Sequence, residues 1–260
     1  MIDKLGNSLK VFEKFRSKKI SNGFFAVRLD GRNFTRFTEE RFEKPFDKEF
    51  NRIMVIISKE MMKEFNPIIT FTQSDEISLI FDENSQIFSR RIEKILSIIA
   101  AFASSKFSQI YSDKKKVVMF DSRIIVFKEK NDIVDYLIWR HKDTFRNCVN
   151  SWLYFTLLNK GLSKKEIDGE LFKKNSQYKL KLLSEYGVTF KNKPTWQIAG
   201  DLLFWKTYKK EGYNPLENKK VLTQRRKIIV KNIKEINKFR ALILKKLKNY
   251  GDKLKNGKKS

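Results

Sequence analysis

The chain has 260 residues, 41% hydrophobic and 13% aromatic, with a formal net charge of +26. That is enough apolar material for one large domain or two small ones, and no apolar run approaches the roughly 20 residues of a membrane-spanning helix. One cysteine, Cys148, and one histidine, His141, exclude an intramolecular disulfide framework and argue against a Cys/His zinc site, while the positive excess favours polyanions, nucleic acid first and an anionic membrane surface second.

The opening residues M-I-D-K-L-G-N-S-L-K lack the apolar stretch of a signal peptide. A soluble chain is expected, cytoplasmic, with an organelle as the alternative. Leu5, Leu9, Val11, Phe12, Phe15 and Ile20 follow helical spacing and predict a short amphipathic helix packed on the domain. The apolar run 23–27 reads as a buried strand delivering Asp30 to a sheet edge, where Gly31 permits a tight turn. A loop is expected over 33–46. Asp47 then caps a helix over 48–65, with Phe50, Ile53, Met54, Ile57, Met61 and Phe65 on one face, ended by Asn66-Pro67. Two strand runs, 68–72 and 77–81, flank Gln73-Ser74-Asp75-Glu76, a hairpin with its acids at the tip. A helix over 89–111 and a β region around Asp121-Ser122-Arg123 follow. The order β-α-β-β-α-β is that of the split βαβ fold.

If the strands carrying Asp30 and Asp75 are neighbours, two carboxylates meet at one end of the sheet. They repel unless a cation lies between them, and hard oxygen ligands suit Mg²⁺. A two-metal nucleotidyl-transfer site is the hypothesis this raises. Beyond it, helices are predicted over 133–139, 147–159 and 164–172, then a turn at Pro194-Thr195-Trp196 and a strand over 202–205. From Lys206 to Ser260 there are 19 Lys and Arg against 4 Asp and Glu. Ile229, Ile233, Ile236, Phe239, Ile243 and Leu247 keep helical spacing there, so a long basic helix is expected, disordered from residue 251. Three regions result: a palm-type catalytic domain over 1–130, a helical and short-β subdomain over 131–206, and a basic helical tail over 207–260. The fold class is α+β, an antiparallel sheet with helices on one face plus these additions.

Six motifs occur in order: V-R-L-D-G-R-N-F-T-R-F from Val27, K-P-F-D from Lys44, Q-S-D-E-I-S-L from Gln73, F-D-S-R from Phe120, W-R-H-K-D from Trp139, and P-T-W…G…L-F-W from Pro194. Together they resemble the tRNAHis guanylyltransferase superfamily, enzymes that add nucleotides to RNA 5′ ends in the 3′-to-5′ direction. The resemblance covers roughly residues 1–206. True tRNAHis guanylyltransferases carry H-I-N-N-L-Y-N after the W-R motif, where this chain has F-R-N-C-V-N-S from Phe145 to Ser151, keeping only Asn147. That departure resembles the like-protein branch, which repairs 5′-truncated tRNAs by template-dependent addition after ATP-dependent 5′-adenylylation.

The resemblance implies a nucleotidyltransferase using two Mg²⁺ ions, with ATP and other nucleoside triphosphates as substrates and tRNA as partner, assembled as a homotetramer. Asp30 and Asp75 become catalytic metal ligands with the Gly31 carbonyl as third, and Glu76 supports them. Arg32, Asn33, Phe34 and Thr35 follow the expected turn, where backbone N–H groups can form an anion nest; Lys44 and Ser74 add contacts to the triphosphate, and Asp47 lies near the base. Arg28, Arg91, Lys94 and Asn147 are the candidate site for activating the RNA 5′ end. Arg140, Arg146 and the tail lysines are read as contacts to tRNA backbone, His141 as a surface residue, Cys148 as a buried thiol, and the four tryptophans as core. Blander readings stand beside these: a capping Asp47, solvated arginines, a strand-end acid at Asp30. The competing functions are addition of a single G to tRNAHis, a nucleotide cyclase on the same palm, and a non-catalytic RNA-binding protein.

Overall fold

The computed structural model describes residue 6 and residues 8–111, 117–216 and 218–256. Six strands form one antiparallel sheet in the order β4-β1-β3-β2-β5-β6. They are β1 (Phe25–Gly31), β2 (Ile69–Gln73), β3 (Glu76–Phe81), β4 (Phe120–Val126), β5 (Asp201–Asn214) and β6 (Lys219–Lys231). The first four, with helices α2 (Lys48–Phe65) and α3 (Ile92–Ile110), complete the expected β-α-β-β-α-β order. Because side chains alternate across a strand, Phe25, Val27 and Leu29 join Leu79 and Phe81 under α2 and α3. Phe24, Ala26 and Ile80 face the other way. There α4 (Lys130–Asn159) and α8 (Ile236–Asn256) close a second core through Ile133, Leu137, Phe239 and Ile243. The additions beyond the palm thus cover the face that its own helices leave open.

Several expected boundaries shift. Residues 34–41 are not loop but helix α1 (Phe34–Arg41), because Phe34, Phe37 and Thr38 fall on one buried face. The two helices expected over 133–159 are the single α4, opened by a capping box between Glu129 and Asp132. Its later turns join α5 (Lys164–Leu171) and α6 (Ser176–Glu185) in a satellite core around Leu153, Ile167 and Leu183. The Pro194-Thr195-Trp196 turn is the start of a short helix, α7 (Thr195–Ala199). Near the N-terminus, residues 6, 8 and 9 are helical and the short turn Lys10–Phe12 follows; Leu9, Val11, Phe12 and Phe15 are exposed, whereas Ile20 is buried. The predicted positions Leu5 and those before it lie outside the described residues.

The basic tail differs most from expectation. Residues 219–231 are strand rather than helix, and α8 begins only at Ile236. Ile229 on β6 and Ile233 after it reach the same core as Phe239 and Ile243, so one helical spacing spans two kinds of backbone. Helix α8 runs past the expected disorder start at 251 to Asn256; residues 257–260 lie outside the described residues. Strand β5 pairs with β2 only as far as Phe204, whereas its pairing with β6 continues to Asn214 opposite Lys219. The hairpin therefore leaves the sheet as a two-stranded ribbon, roughly 30 Å long at about 3.3 Å per residue.

Candidate active site

Asp30 and Asp75 reach one place by two local devices. Strand β1 ends at Asp30-Gly31, and β3 is its antiparallel neighbour with Leu29 opposite Ile77, so Glu76 stands beside Asp30. Asp75 occupies the two-residue tip between Gln73 and Glu76, where Ser74 adopts positive φ. On the other side, β4 sets Asp121 directly across from Asp30, and Arg123 lies 3.2 Å from Asp121 and 4.0 Å from Asp30. Gly31 is required by contact rather than by backbone angle: a Cβ there would stand 2.3 Å from the Phe34 ring. The tight turn expected at Gly31 belongs instead to Asn33, at φ 60°.

Asn33 is also the N-cap of α1, and no side chain caps that end. The Arg32 N–H is already donated to the Met119 carbonyl at 2.9 Å, so the predicted anion cradle narrows to the amides of the first helical turn. Lys44 is held beside it by donating to Thr38 Oγ1 at 2.6 Å. Burial lowers the Lys44 pKa, while Glu39, Asp75 and Asp47 oppose that shift. Asp47 performs the capping role, accepting from the Phe50 and Glu43 amides at 2.8 and 3.1 Å. A cavity of about 410 Å³ joins these parts, lined by Asp30, Thr35, Lys44, Asp47, Ser74, Asp75, Glu76 and Asn147. Its far wall comes from residues the sequence reading did not select: Ser151 and Phe155 on α4, and Trp196 and Gln197 on α7. Gln197 is oriented by the Trp152 indole N–H, a donor only, which bonds its Oε1 at 3.3 Å. The P-T-W motif was the available signal for this wall.

Electrostatics set the carboxylates apart. Burial, then the neighbouring Asp30 charge, pushes Asp75 up to about 6. Lys44 and Arg123 offset part of this charge, and a divalent cation would relieve the rest, an all-oxygen donor set suiting Mg²⁺. Among the described residues no three His, Cys, Asp or Glu side chains make a cage, so an ion would complete its shell from backbone oxygen, water and phosphate. Glu76 is pushed up to about 7, burial outweighing the opposing Arg140. Arg140 reaches both Glu76 oxygens, at 2.7 and 2.8 Å, and Asp143 at 2.9 Å.

Arg140, His141 and the tryptophans depart from their expected surroundings. Arg140 is 4% exposed and locked in that network, which withdraws it from RNA backbone contact; Arg146 is the exposed arginine beside it, paired to Asp143. His141 is not a surface residue: it is 3% exposed, with Nε2 2.7 Å from the Ile233 carbonyl and its ring against Phe239. Trp139 is exposed, and the other tryptophans are only partly buried. Arg91 is the N-cap residue of α3 and Lys94 lies in its first turn. Arg91 bridges to Lys19, next to Arg90, whose side chain clips the Ser21 and Gly23 carbonyls before β1 begins. Cys148 is buried as expected, its thiol pushed up to about 12 by burial.

The profile described as tRNAHis guanylyltransferase matches residues 6–128, and that of the Thg1 C terminal domain matches residues 131–245. A probable tRNA(His) guanylyltransferase of Dictyostelium discoideum is 32% identical over 197 residues, 72% of this chain and 77% of that one. The crystal structure of the Saccharomyces cerevisiae tRNA(His) guanylyltransferase superposes with a TM-score of 0.68 at 27% identity, over 74% of this chain and 90% of that one. A bacterial Thg1-like protein in complex with ATP gives 0.70 at 23% identity, over 93% and 97%, a likeness of fold.

Proposed function

The chain belongs to the tRNAHis guanylyltransferase family, and from that premise we propose that it repairs tRNA 5′ ends by template-dependent 3′-to-5′ nucleotide addition. The coarser activity, nucleotidyl transfer to tRNA, follows from membership itself. The observation that carries the site is the meeting of Asp30 and Asp75 at one end of the sheet, lining a cavity together with Lys44 and the first turn of α1. A nucleoside triphosphate fits this layout with its phosphates between the basic edge and the carboxylates. Its base then reaches toward Phe155, Trp196 and Gln197.

Asp30, Asp75 and the Gly31 carbonyl would hold Mg²⁺, which when bound supplies Lewis acidity for an attacking hydroxyl and charge for the phosphates. The protein's own groups do the rest. Lys44 neutralises phosphate charge, and the α1 amides orient the chain of phosphates without a side-chain charge. Glu76, tied to Arg140, keeps the hairpin tip at fixed distance from α4. The attacking group is the 3′-hydroxyl of the incoming nucleotide, the electrophile is the 5′-phosphate of the RNA activated by ATP as its adenylate, and AMP leaves as the phosphoanhydride breaks and the new phosphodiester forms. Arg28, two residues before Asp30 on the same face, is the cation nearest that arrival point. The basic ribbon of β5 and β6, with Lys206, Lys210, Arg225 and Lys227 on one of its faces, suits contact with RNA backbone.

Templated repair is favoured over addition of a single G by the stretch Phe145–Ser151. Where guanylyltransferases of the strict type carry histidine, Phe145 packs on Phe190 at 5.9 Å and offers no polar group. Nucleotide addition to 5′-truncated tRNAs that differ only in the base opposite the gap tests this. Products should follow that base; G alone, whatever the opposite base, rules repair out. Asp75→Ala should abolish addition while leaving tRNA binding intact; a non-catalytic RNA-binding protein would lose no function on that substitution.

A further inference from the structure

Trp139 is not among the residues that line the nucleotide cavity. The next residue, Arg140, lines that cavity, whereas the Trp139 indole leaves 51% of its surface exposed. It is nevertheless held in place from three sides. Tyr136, one turn earlier on α4, meets it edge-on at 6.0 Å and is itself tied to Ser78 by a buried 2.8 Å hydrogen bond. The Arg140 guanidinium lies 4.5 Å from the ring centre and is pinned by Glu76 and Asp143. Arg28 approaches to 5.7 Å from β1, and its buried Nε has no hydrogen-bond partner.

An aromatic side chain half in water, with the Arg140 guanidinium over its ring and that of Arg28 farther off, suits on its open surface a flat ligand that also carries negative charge. A nucleobase followed by its phosphate meets both conditions. Arg28 lies two residues before Asp30 on β1 and Arg140 is paired with Glu76, so the ring borders the region to which the second reactant must come for in-line transfer. We propose that Trp139 is the platform on which the terminal base of the RNA 5′ end stacks, with Arg28 taking its phosphate. Trp139 is then a positioning residue for the RNA, and the assignment rests on RNA being the substrate as argued above.

The test uses the full chain and a 5′-truncated tRNA whose first nucleotide is 2-aminopurine, a base whose fluorescence falls on stacking. Binding to the wild-type protein should quench it; Trp139→Ala should remove most of the quenching and Trp139→Phe restore part. In the addition assay, Trp139→Ala should raise KM for RNA roughly tenfold to a hundredfold, the loss of one stacked base, and leave KM for nucleotide unchanged. Equal quenching in the alanine variant overturns the proposal. So does an equal rise in both KM values, or a smaller assembly by light scattering, which would make Trp139 a subunit contact. Should the wild-type protein bind this RNA yet add no nucleotide, the function proposed above falls, and the fluorescence comparison still decides the stacking.

Discussion

Replacing Arg140 by methionine removes the only cation within hydrogen-bond reach of Glu76 among the described residues and leaves its carboxylate buried. Arg140 and Glu76 are 5% and 13% exposed at the side chain, and Asp143, which also loses Arg140, is 9% exposed but retains Arg146. Breaking a buried pair by deleting one partner costs about 3–5 kcal/mol. The cost here depends on pH, because Glu76 already sits at about 7. A carboxyl raised in the folded state binds its proton more tightly there than when unfolded. Its contribution to stability is therefore lost as pH rises toward the folded value, by at most about 1.4 kcal/mol per pH unit. In the wild type that loss levels off above pH 7. In Arg140→Met the folded value moves higher, so the loss continues.

The gap between the two proteins should be about 2–3 kcal/mol at pH 6.5 and wider by about 1–2 kcal/mol at pH 8.5. In a chain of this size, 3 kcal/mol corresponds to roughly 6–12 °C in Tm. Urea unfolding followed by circular dichroism at both pH values measures it. Adding Glu76→Gln should recover much of the loss, since an amide needs no counter-charge. A gap under 1 kcal/mol, or one that narrows as pH rises, would refute the reasoning.

Gly31→Ala drives a methyl group into the Phe34 ring, which packs on Phe50, Phe107 and Phe120. It should cost about 1–3 kcal/mol by overpacking and raise KM for nucleotide as α1 shifts, read by unfolding and initial rates. Phe239→Ala removes the ring that joins α8 to Phe71 and His141, and should cost about 3–5 kcal/mol in urea unfolding. His141 has its pKa lowered by burial, with the Ile233 hydrogen bond opposing. The folded state therefore binds fewer protons than the unfolded, so stability from this group is complete above the ordinary value near 6.5 and declines below it. His141→Gln should flatten that acid limb of the stability profile, seen as a smaller drop in Tm between pH 7 and pH 5.

Local pattern was enough for much of the scaffold. Alternating apolar residues marked β1 and β3, the face of Phe50, Ile57 and Met61 marked α2, and Asp47 marked its start, because each depends on neighbours within one turn. The pairing of Asp30 with Asp75 was legible as a strand end and a hairpin tip, with ordered motifs to link them. Burial of charge was not legible. Arg140 meets Glu76 across 64 positions and His141 meets Ile233 across 92, and no short-range spacing records such partners. The same holds for the basic tail, where periodicity told which residues reach the core but not whether strand or helix carries them. Only the packed sheet decided that Trp139 stays in water while Arg140, the next residue, is buried against Glu76. Sequence period reports which face of an element is apolar; what covers that face, and which polar groups it traps, is set by segments distant in the chain.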